Sequence, residues 1–146
     1  MIIKPVSAVC GELKNDEFLF PVRVYYEDTD AGGIVYYANY LKFAERARTE
    51  YIRALGVRQQ DGLEEDDKFG FVVRHCNIDY LAPAVLDDEL VVSCRVIDAH
   101  GATVVMQQEI TCGDKLLVTI EVEAVYVSLT AKKPRRIPKN LLAKLV

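Results

Sequence analysis

One stretch, Tyr40 to Leu55, limits the folds open to this chain more than any other. Tyr40, Phe43, Ala44, Ala47, Tyr51, Ala54 and Leu55 recur at helical spacing, while Lys42, Glu45, Arg46, Arg48, Glu50 and Arg53 share the opposite side. That is an amphipathic helix with one face to bury. It predicts about four turns, with weak support from Arg46 and Glu50 and with Gly56 placed to end it in the left-handed conformation. Nearly everything after Phe69 reads as strand. Phe71 to Leu81, Glu89 to Ile97, Thr103 to Cys112 and Leu116 to Ser128 are rich in Val, Ile, Tyr and Thr. They are separated by Ala82-Pro83-Ala84, by Asp98-Ala99-His100-Gly101 and by Gly113-Asp114-Lys115, and the last two separators have hairpin length. In the final run Val118, Ile120, Val122, Ala124 and Tyr126 oppose Thr119, Glu121 and Glu123, so the sheet has a single covered face. Only the one helix is long enough to cover it, and the sheet has to curl around that helix.

Upstream, Phe18, Phe20, Val22, Val24 and Tyr26 alternate with Arg23 and Tyr25 and predict a strand that Pro21 confines to an edge or to its first half. This completes an α+β fold, a curved antiparallel five-stranded sheet wrapped around one long central helix. Residues 1–17 read as an extension or a weak first strand, the acidic 57–68 as a loop with room for a short helical turn, and 131–146 as a basic tail. With 146 residues, 1–146 is expected to be a single domain.

Composition narrows the function. A net charge of −4 argues against a nucleic-acid partner, which requires clustered Lys and Arg. Cys10, Cys76, Cys94 and Cys112 form no C-x-x-C pair, so no metal site is expected and free thiols in a reducing compartment are. Lys4 and Pro5 interrupt any signal core, and no run reaches the ~18 apolar residues that span a bilayer. The expected location is the cytoplasm.

Chemistry concentrates between the first strand and the helix. Tyr26-Glu27-Asp28-Thr29-Asp30-Ala31-Gly32-Gly33 leads into Ile34-Val35-Tyr36-Tyr37-Ala38-Asn39-Tyr40, setting two carboxylates and two glycines beside a helix N-terminus with unpaired N–H groups. A carboxylate next to an oxyanion site points to hydrolysis of an acyl compound. Taken locally, Asp-x-Asp before Gly-Gly is more often a polar turn, and Asp28 reads as an Asx-type turn residue. Serine hydrolysis has no support, since no serine lies in G-x-S-x-G.

The same loop, with Glu45-Arg46-Ala47-Arg48-Thr49-Glu50, Phe71-Val72-Val73-Arg74, Tyr80-Leu81-Ala82-Pro83-Ala84 and Pro134-Arg135-Arg136-Ile137-Pro138, resembles the hotdog-fold acyl-CoA thioesterases of the 4-hydroxybenzoyl-CoA thioesterase family. The likeness is greatest to the bacterial branch associated with the Tol-Pal system and covers the chain from about residue 20 onward. The resemblance implies a cofactor-free thioester hydrolase. Asp30 would be the catalytic aspartate, as general base or nucleophile, and the backbone N–H of Tyr37 the oxyanion donor. Gly32, Gly33, Val35, Tyr36 and His100 would contact substrate, His100 near the coenzyme A phosphates. It also implies a homo-oligomer, dimer or tetramer, with active sites at subunit interfaces. Many members of that branch have a histidine where this chain has Tyr37, so no His is assigned a role beside Asp30.

Other polar residues have plainer readings. Glu45 is expected in an exposed pair with Arg48 or Lys42, His75 as a structural histidine, and Arg74 and Lys132 to Arg136 as solvated charge. Two alternatives stand beside hydrolysis of acyl-CoA in general. One is a non-catalytic oligomer binding acyl-CoA or acyl carrier protein; the other is a thioesterase for an aromatic, dihydroxynaphthoyl-type CoA ester.

Overall fold

The helix forms where the periodicity places it, over Asn39–Ala54 (α1), with Phe43, Ala44 and Ala47 fully buried. Gly56 follows at φ +95°, and its left-handed backbone lets the chain leave the helix without a Cβ clash. The computed structural model describes residues 11–145; Cys10 and the rest of residues 1–10 lie outside them. A short α2 (Gln59–Glu64) occupies the acidic loop.

The strands are β1 (Glu12–Lys14), β2 (Glu17–Arg23), β3 (Phe69–Tyr80), β4 (Glu89–His100), β5 (Thr103–Cys112), β6 (Lys115–Ser128) and β7 (Lys133–Pro134). They form one antiparallel sheet in the order β1-β2-β4-β5-β6-β3, with β7 paired to β6. The five expected strands are therefore joined by two short ones, β1 and β7, each beside a turn residue with positive φ, Asn15 and Lys132. Both are polar and too short to show alternation, which is why pattern alone misses them. The inner face brings Phe18, Phe20 and Val22 of β2, Val92 and Cys94 of β4, Met106 and Ile110 of β5 and Val118, Ile120 and Val122 of β6 against α1.

Two expectations need correction. β2 ends at Arg23, and Tyr26, expected to continue the alternation, is 83% exposed because the chain turns there. Pro21 takes the expected edge position: β1 reaches only to Leu19, and among the described residues the proline is unpaired on that side. Residues 131–145 of the expected 131–146 tail are structured: after β7, α3 (Lys139–Leu145) buries Leu141 and Leu145, and the Lys144 ammonium donates to the Leu55 carbonyl at 2.9 Å, capping the C-terminal end of α1.

β3 lies at the sheet edge and breaks register between Val73 and His75. Its Val72, Val73 and Tyr80 remain exposed. Among the described residues no helix is long and apolar enough to cross a membrane.

Candidate active site

The acid loop is built from backbone hydrogen bonds around Asp28 and Asp30. Asp28 is buried and its Oδ2 accepts from the Tyr25 N–H at 2.8 Å, closing the turn Tyr26–Asp28. Its carbonyl accepts from the Tyr36 N–H and from Asn39 Nδ2, both at 2.9 Å. This ties the acid to the helix entrance. The Asp30 N–H donates to the Ile34 carbonyl at 2.9 Å, and the Gly33 N–H to the Asp30 carbonyl at 3.0 Å. Gly33 sits at φ +80°, a conformation that disfavours side chains. The Asp30 carboxylate is exposed, and its Oδ1 accepts from the Gly32 N–H at 2.8 Å. A Cβ on Gly32 would stand 3.1 Å from that oxygen, so glycine permits the close approach.

The helix entrance is open. Ala38 is the N-cap and offers no side-chain acceptor. The Asn39 N–H donates to the Tyr36 carbonyl at 2.8 Å, but the amides of Tyr37 and Ala38 have no acceptor among the described residues. These amides sit at the positive end of α1, where an oxyanion is stabilised.

An aromatic wall stands over them. The Tyr80 hydroxyl donates to the Tyr37 carbonyl at 2.9 Å, and the Ala84 N–H donates to the Tyr40 hydroxyl at 3.0 Å. The rings of Tyr36 and Tyr37 lie 4.9 Å apart and those of Tyr37 and Tyr80 6.1 Å apart. The Tyr36 phenol titrates above its usual range, first because Tyr37 is beside it and hydrogen-bonded to it, then through burial and the charge of Asp30. Acid and helix entrance are thus neighbours. A cleft of about 320 Å³ opens here between Ile34, Val35, Tyr37, Tyr40, Tyr80 and Leu81.

Residues 24–145, the acid loop and α1 included, match the thioesterase-like superfamily. The chain belongs to that superfamily. Among thioesterase relatives, the acyl-CoA thioesterase YbgC of Haemophilus influenzae is 48% identical over 129 residues, 88% of this chain and 94% of that protein. The crystal structure of a probable thioesterase from Bartonella henselae superposes with a TM-score of 0.79 at 39% identity, covering 82% of this chain and 98% of that one. A 1,4-dihydroxy-2-naphthoyl-CoA thioesterase from Synechocystis superposes with a TM-score of 0.80 at 25% identity, covering 88% and 97%. The curved sheet around α1 is the hotdog fold.

Not every residue singled out in this thioesterase-like sequence gathers at the loop. Asp30, Gly32, Gly33, Val35, Tyr36 and Tyr37 do. His100 does not: β4 starts opposite Arg23, near the loop, and His100 lies at its far end, eleven residues on from Glu89, about 36 Å of strand at ~3.3 Å per residue. There it is exposed, with Nδ1 3.0 Å from Asp98 Oδ2.

Glu45 accepts from the Thr49 hydroxyl at 2.6 Å rather than pairing with Arg48. Arg48 turns inward, donating at 3.0 Å to Gln108, whose own amide donates to the Ala44 carbonyl, and burial lowers the pKa of its guanidinium. Glu50 lies 3.5 Å from Arg53 instead of pairing with Arg46. His75 is exposed on β3, and Arg74 pairs with Glu123 at 3.1 Å. No group of three metal-ligating side chains occurs among the described residues. Sequence reasoning gave no role to Asn39, whose contacts are to backbone, or to Tyr80, whose spacing along a strand looked ordinary.

Proposed function

We propose that this protein hydrolyses acyl-CoA thioesters to the free acid and coenzyme A. What supports the reading is Asp30 in a loop tied to the helix entrance through the Asp28 carbonyl, beside an uncapped start of α1 where the Tyr37 amide has no acceptor among the described residues. The thioester carbonyl enters that amide, and the charge that develops on its oxygen is met by a donor already in place, a contribution of about 2.7–4 kcal/mol. Asp30 supplies the attack, either by taking a proton from water or by adding to the carbonyl itself to form an anhydride that water then opens. The carbon–sulfur bond breaks as the thiolate departs. A thiol with a pKa of about 8.5 leaves without a strong general acid. Gly32, Gly33, Val35 and Tyr36 shape the approach.

The pocket of one chain is open on the side of Tyr37 and Tyr80, and among the described residues the β3 edge beside it is unpaired. This supports a homo-oligomer in which a second copy completes each site, and it gives His100 a route to substrate only through another subunit.

The test follows thiol release from short, long and aryl acyl-CoAs. The Asp30→Asn protein is expected to lose at least about 100-fold in kcat while folding normally, since the side chain is exposed. Full turnover by that variant would remove the mechanism. A narrower reading, an aromatic CoA ester as substrate, is favoured by the tyrosine-lined cleft; it predicts that aryl esters lead the panel by kcat/KM.

A further inference from the structure

We infer that Asn39 is a positioning residue for the reaction proposed above, holding the acid loop and the oxyanion peptide in one fixed geometry. The inference rests on that reading. Asn39 is buried, at 8% exposure, and is the first residue of α1. Its side-chain Nδ2 donates at 2.9 Å to the carbonyl of Asp28, two residues before Asp30. Its main-chain N–H donates at 2.8 Å to the carbonyl of Tyr36, which belongs to the same peptide plane as the Tyr37 N–H. One residue thus grips the acid loop with its side chain and the donor amide's own peptide with its backbone. The Tyr36 N–H reaches the same Asp28 carbonyl at 2.9 Å, so that oxygen keeps a partner if the Asn39 amide is removed. The loss to folding should therefore be small, because no buried acceptor is orphaned. The loss to catalysis should not be small, because a shift of about 1 Å between attacking group and donor costs on the order of 100-fold.

The experiment compares wild type, Asp30→Asn, Asn39→Ala, Asn39→Leu and the double variant Asp30→Asn with Asn39→Ala. Alanine favours helix, and leucine keeps the volume while donating nothing. Both Asn39 variants are expected to keep KM within about threefold and to lose about 10- to 100-fold in kcat, the pattern of an interaction felt in the transition state. The double variant should be no slower than Asp30→Asn alone, because once the acid is gone its placement no longer matters. An unchanged kcat in the Asn39 variants, additive losses, or failure of both to fold would overturn the inference and leave the acid's role standing. An active Asp30→Asn protein would instead remove the underlying reading.

Discussion

Asp28 and Asp30 are two residues apart, yet they do opposite work. Asp28 faces inward and spends its oxygens on the Tyr25, Tyr36 and Asn39 donors, while Asp30 faces out with only the Gly32 amide on its carboxylate. The difference follows from the turn between them, not from their chemistry. Tyr80 belongs to the same scale. Its hydroxyl holds the Tyr37 carbonyl from a different element, and Tyr80→Phe removes one hydrogen bond worth about 0.5–1.5 kcal/mol. A fall of about 2- to 10-fold in kcat with little change in melting temperature is expected; kinetics equal to wild type would show that the bond does not steady the amide. The acid-glycine loop was legible because the residue types themselves announce a turn beside a helix. The grips of Asn39 and Tyr80 were not, since a side chain bonding to a distant carbonyl leaves no spacing to read.

Among the elements, α1 and the β4 to β6 hairpins were legible from periods of 3.6 and 2, which survive in sequence because each has one covered face. α3 was hidden by its proline-rich, basic lead-in, although Leu141 and Leu145 close the core. β3 is the instructive case. Its apolar run reads the same whether its own chain or another covers it, and among the described residues Val72 and Val73 stay exposed along an edge that no strand pairs. Such an edge invites pairing with a second copy, and a lysine on it discourages that. Val73→Lys is expected to shift sedimentation from oligomer to monomer and to lower kcat/KM by at least about 10-fold, given the ~1,000 Å² or more of contact that a stable pair requires. A wild-type protein that sediments as a monomer at micromolar concentration would remove the shared pocket.

For the whole molecule, the covered face of the sheet carries its alkaline weakness. Burial raises the phenols of Tyr40 and Tyr51, which α1 packs into the core on that face, and it pushes the Cys94 thiol from an ordinary 9.0 to about 12. Groups raised in the folded state hold protons that the unfolded chain has already released, so stability is complete below the unfolded values and falls as pH rises past them. The midpoint of urea unfolding should fall between pH 9 and 11. Cys94→Ala, whatever its cost at neutral pH, should make that fall shallower; parallel curves for the two proteins would show that the thiol is not responsible.

The entrance to α1 is the place where the fold and the reaction want different things. An oxygen-bearing side chain at position 38 would satisfy a first-turn amide and firm the helix by about 1 kcal/mol. It would also set a competing acceptor at the mouth of the cleft. Alanine there trades rigidity for reactivity, keeping the entrance electropositive for a guest that brings its own oxygen.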